Sequence, residues 1–115
     1  MTTERQAEIL HVLQEKYGVL KGWKIRDDNT ISNHLLDDQE EYRRISFNHG
    51  VVLDALWEWL LHTDNFAMLL VPHKDYIECA FMNLEKNGRQ IFKYPLSLAI
   101  WHMAEFILQQ KGELK

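Results

Sequence analysis

FAMLLVPHKDYIECAFMNLEKNGRQIFK, residues 66–93, is the stretch that decides the fold. Phe66 to Val71 is a short, wholly apolar run that stops at Pro72. Residues 76–84 are again rich in aromatic and apolar types, with Glu78 and Asn83 between them. Both read as strands: runs of this length bounded by turn residues are too short for packed helices and suit a pleated surface. His73-Lys74-Asp75 supplies the turn that joins them. Asn87-Gly88 is a second turn, since both residue types tolerate left-handed backbone. Arg89 to Lys93 then forms a third, shorter strand, and the three make an antiparallel meander.

Working outward, Pro95 opens a helix where its missing N–H leaves no bond unmade. This helix runs to about Lys111 and stops at Gly112. Leu96, Ile100, Met103 and Ile107 form its inner face, and Ser97, His102, Glu105 and Gln109 its polar face. Leu98, Trp101 and Leu108 fall on or beside the polar side, an apolar surplus. On the other flank, residues 49–62 form a helix with Val52, Leu56, Trp59 and Leu60 inside and Asp54, Glu58 and His62 outside. Trp57 and Leu61 break that division. An apolar strand without alternation is the mark of a sheet covered on both faces. The pattern therefore predicts an α+β fold: a small three-layer α/β/α arrangement, with the antiparallel three-stranded meander flanked by helices 49–62 and 95–111.

Residues 3–17 make a further amphipathic helix. Thr2 or Thr3 caps it, Ile9, Leu10, Leu13 and Tyr17 share one side, and Gly18 ends it. The connection 19–47 is harder to read. Val19 to Ile25 can include a short strand and Asp27-Asp28-Asn29 reads as a turn. Asp37 to Glu41 is an acidic run followed by Arg43-Arg44, and segment 24–43 is read as loop or partly disordered.

The 115 residues bound the chain to a single domain. At 46 % apolar it can build a core, and a net charge of −4 gives it no general attraction to nucleic acid. The lone Cys79 excludes an internal disulfide and a Cys-Cys zinc motif. No apolar run approaches the ~20 residues of a membrane span, and the start has no signal-peptide pattern, so a cytoplasmic location is expected.

Three stretches carry a resemblance. They are Lys21-Gly22-Trp23; Arg44-Ile45-Ser46-Phe47-Asn48 leading into the helix with Ala55 and Trp57; and Tyr76-Ile77-Glu78-Cys79-Ala80-Phe81 followed by Tyr94-Pro95-Leu96-Ser97-Leu98-Ala99-Ile100. In this order, over about residues 20–110, they are similar to the phage ABA sandwich domain of small phage and prophage proteins. Segment 24–43 is more acidic than that pattern, and Ser97-Leu98 interrupts its helix entry. The resemblance implies a fold and a phage or prophage setting, and it brings no active site.

Chemistry-bearing residues are sparse. No phosphate loop and no nucleophile elbow occurs. Glu58 and His62 are spaced i,i+4 with Asp54 one turn earlier, and His102 and Glu105 i,i+3; these spacings can set metal ligands side by side. The plainer reading is solvated helix faces. Cys79 with His73 is a conceivable nucleophile pair, although a cysteine within an apolar strand is ordinarily core. Trp57, Leu61, Trp101 and Leu98 instead suggest an interface, because aromatic surface on helices marks contact sites. The expectation is a non-enzymatic accessory or regulatory protein without a cofactor. It would act through a protein partner or as a homodimer, and the alternative is a small-ligand or metal-binding module on the Asp54/Glu58/His62 or His102/Glu105 faces.

Overall fold

The computed structural model describes residues 1–34, 42–64, 66–84 and 88–115. Its elements are α1 (Thr3–Tyr17), β1 (Lys24–Ile25), β2 (Thr30–His34), β3 (Tyr42–Ser46), α2 (Gly50–Leu61), β4 (Phe66–Pro72), β5 (Ile77–Asn83), β6 (Gly88–Tyr94) and α3 (Leu96–Gln110). Two antiparallel three-stranded sheets result, β1-β2-β3 and β4-β5-β6. The α+β class read from the sequence is what the chain forms.

Helix α1 begins where the Thr2 hydroxyl accepts from the Arg5 N–H at 3.2 Å. It ends at Gly18, whose φ of 69° lies in the left-handed region that glycine enters without strain. There the Val19 N–H closes onto the Leu13 carbonyl at 3.2 Å, satisfying a terminal acceptor. Ile9, Leu10 and Leu13 are buried as the periodicity predicts.

The first sheet replaces the loop expected at 24–43. Residues 24–25, 30–34 and 42–46 are strands; 35–41, which include the whole acidic run, lie outside the described residues. Asn29 at φ 67° forms the β1–β2 turn, and the Phe47 N–H donates to its carbonyl at 3.1 Å. Ile31 and Ile45 are cross-strand partners and both are buried, so one apolar residue per strand suffices to seat this sheet.

Helix α3 is the centre of the molecule. It lies against α1, α2, β5 and β6. Ala99, Trp101, Met103, Ala104, Ile107 and Leu108 are all fully buried. The apolar surplus on its supposed polar side is the pattern of a helix enclosed almost all round. On the meander's inner face, Phe66 meets Phe106 nearly edge-on, centroids 6.4 Å apart, and Cys79 is fully buried. The helical cover expected on both faces of the meander is present on one. α2 rests on α3, and the opposite face carries exposed Leu69, Val71 and Met82.

Candidate functional site

The uncovered face of the meander is built by strand alternation. Phe66, Met68, Leu70 and Cys79 point inward, so Ala67, Leu69, Val71, Ala80 and Met82 point out. Leu69 is 60 % exposed and Met82 42 %. Ala67, Met68, Leu69, Ala80 and Met82 line a shallow apolar depression of about 240 Å³. Contiguous exposed apolar surface of this kind is the usual mark of an interaction site. The unalternating run predicts a strand covered on both faces; among the described residues its outward side chains Leu69 and Val71 are exposed.

The four residues expected at an interface separate. Leu61 is 57 % exposed and Leu98 half-buried. Trp57 is half-buried against the core and lines a groove of about 220 Å³ with Leu53, Asp54, Leu70 and Ile100. Trp101 is fully enclosed: its ring packs 6.4 Å from that of Phe47 and its Nε1–H donates to Asn48 Oδ1 at 3.1 Å. It has no surface to offer a partner, because α3 is sheathed on the side that a simple helical wheel assigns to solvent.

Glu58 and His62 do come together. With Tyr17, Val19, Leu20 and Trp59 they line a cleft of about 350 Å³ where the end of α1 meets α2. Tyr17 and Trp59 form its aromatic wall, with centroids 5.3 Å apart. The Tyr17 hydroxyl donates to Glu113 Oε1 at 2.7 Å; burial, aided by that carboxylate, pushes the phenol up to about 12. Asp54 turns to the Trp57 groove instead, so the three residues do not converge.

His102 Nδ1 lies 3.9 Å from Glu105 Oε1, while Glu105 Oε2 accepts from Arg5 Nε at 2.7 Å. Arg5 also reaches Glu8 at 3.0 Å and the carbonyl of Lys115. Burial lowers the His102 pKa; Glu105 opposes this, and the N-terminal amine adds to it. The arrangement fastens α1 to α3 and leaves Glu105 committed to a guanidinium. Among the described residues, no three His, Cys, Asp or Glu side chains are grouped to hold a metal ion. Cys79 and His73 also part: Cys79 faces the core, its thiol raised by burial, while His73 Nε2 lies 3.3 Å from Glu78 Oε2 on the other face. No helix among the described residues is long and apolar enough to cross a membrane.

No family model, curated protein or solved structure matches this chain.

Proposed function

We propose that the protein is a non-enzymatic accessory or regulatory protein of the cytoplasm that works by binding another protein, in the first instance its own copy. The observation that supports this reading is the uncovered outer face of the meander, where Leu69, Val71 and Met82 stand exposed on one surface. Burying such a surface is favourable by about 25 cal/mol per Å² of apolar area, and a sheet face with no cover among the described residues can gain that from a partner. The motifs shared with the phage ABA sandwich domain favour a phage or prophage setting. Native mass spectrometry across a concentration series tests the reading. A multimer that falls to monomer in the Val71→Lys/Met82→Lys double variant is expected, and a wild-type chain that stays monomeric throughout would overturn it.

A second reading has its own observation, the Tyr17/Trp59 cleft that brings Glu58 and His62 together. It makes the protein a small-ligand or metal-binding module. Addition of zinc, manganese or nickel should then raise the melting temperature, and Glu58→Ala should remove the rise. No shift with any of the three ions refutes the metal form of this reading.

A further inference from the structure

We propose that β4 pairs antiparallel with β4 of a second copy, about a two-fold axis at Leu69, so that two meanders join into one continuous sheet. This rests on the self-association reading above and concerns the edge of the meander, so that the two outer faces lie side by side in one sheet.

The backbone fixes which groups are on offer. The His73 N–H donates to the Tyr76 carbonyl at 2.8 Å, so residues 73 and 76 form a hydrogen-bonded pair. The register then runs without a bulge from Pro72↔Ile77 to Phe66↔Asn83. Antiparallel alternation sends the N–H and C=O of Ala67, Leu69 and Val71 toward β5 and those of Met68 and Leu70 to the open edge. β4 is an edge strand whose one strand neighbour among the described residues is β5.

Charge distinguishes this edge from the others. Proteins commonly guard edge strands with shortness, charge or proline. β1 has two residues, one of them Lys24; β3 carries Arg43 and Arg44; β6 carries Arg89 and Lys93. β4 spans seven residues with no charged side chain and a proline only at its end. Two copies of β4 therefore meet without like charges opposed in any register, whereas two copies of β3 or β6 bring like charges onto the shared edge.

The register follows from the same groups. With Leu69 opposite Leu69 of the second copy, Met68 faces Leu70 and Leu70 faces Met68, and each pair exchanges both backbone bonds. Pro72, which lacks an N–H, falls opposite Phe66, where the ladder stops. On the outer face Ala67 lies beside Val71, small against large, on either side of the central Leu69 pair. On the inner face Met68 of the second copy comes alongside Leu70, at the groove lined by Leu53, Trp57 and Ile100. Met68 of the second copy thereby extends the apolar lining of that groove, beside the part of Trp57 that its own core leaves uncovered. Leu69, the most exposed large apolar side chain among the described residues, becomes the centre of the contact.

A directly opposed, non-hydrogen-bonded pair holds its Cα atoms about 4.5 Å apart, inside the range a disulfide spans. Leu69→Cys should therefore give a reducible covalent dimer on mild oxidation. Val71→Cys should not, because the two copies of residue 71 lie about 13 Å apart along the strands. The native Cys79 is fully buried and should stay silent. Crosslinking at 69 and not at 71 is the expected result. A wild-type dimer in which neither position crosslinks, or both do alike, overturns the edge pairing and leaves the self-association reading standing. A wild-type chain that is monomeric at every concentration overturns both.

Discussion

On the inner face of the meander, Phe66 meets Phe106 edge-on and Cys79 is sealed under α3. On the outer face, three residues along β4 from Phe66, Leu69 is 60 % exposed. The two faces are made of similar side chains from the same two strands, and they differ in what covers them. In a half-buried strand the outward residues are ordinarily polar, because water is their permanent neighbour. Here the β4 part of the outer face has the composition of an interior surface while Glu78 of β5 shares that side, so the contrast separates residues sealed under α3 from residues that water still reaches.

That division can be broken most forcefully from the inside. Phe106→Ala removes the ring that abuts Phe66 and leaves a cavity under the meander; a loss of about 3–5 kcal/mol in urea unfolding is expected, and a loss below about 1 kcal/mol would mean that the inner face is not the stabilising one. A smaller effect is expected one layer back, where Arg5 pins α3 to α1 through Glu105. Glu105→Gln weakens that tie between partly exposed side chains, by up to about 1 kcal/mol, and a neutral result would leave α3 held by packing alone.

A pH series sharpens the same point. His102 titrates below the usual imidazole range because burial disfavours its charged form. The unfolded chain therefore takes up this proton more readily than the folded one. The contribution is complete above about pH 6.5, and it is lost as pH falls from there through the lower folded value. Melting temperature should decline over that window, and His102→Asn should flatten the decline; superimposable curves would refute the assignment. The smallest effect is expected outside. Leu69→Ser should change the stability of the isolated chain by no more than about 0.5 kcal/mol while it weakens association, and the reverse outcome would erase the distinction between the faces.

The parts legible in the sequence are those with strong local signals. Thr2 and Gly18 bracket α1, Pro95 sets the start of α3, and the β4–β5 turn falls where His73-Lys74-Asp75 places it. The first sheet was harder because its apolar content is one residue in β2 and the Ile45/Phe47 alternation around the end of β3. That period-two signal was readable, but Arg43 and Arg44 masked it as part of a charged loop. Trp101 was misplaced for a different reason. A helical wheel divides a helix into one wet and one dry side, and it cannot represent a helix that other elements surround. Glu58 and His62 line one cleft, one helical turn apart, whereas the Tyr17 wall of that cleft comes from α1 and depends on packing that no local pattern encodes.

Cys79 offers one more use of the inner face. It is the chain's single thiol, buried in β5 with its pKa raised by that burial. A thiol in this state reacts only when its surroundings open. Its rate of modification by a small disulfide reagent therefore counts the excursions in which α3 and the meander come apart. Followed against protein concentration, that rate would report from inside one subunit whether a neighbour holds the sheet shut.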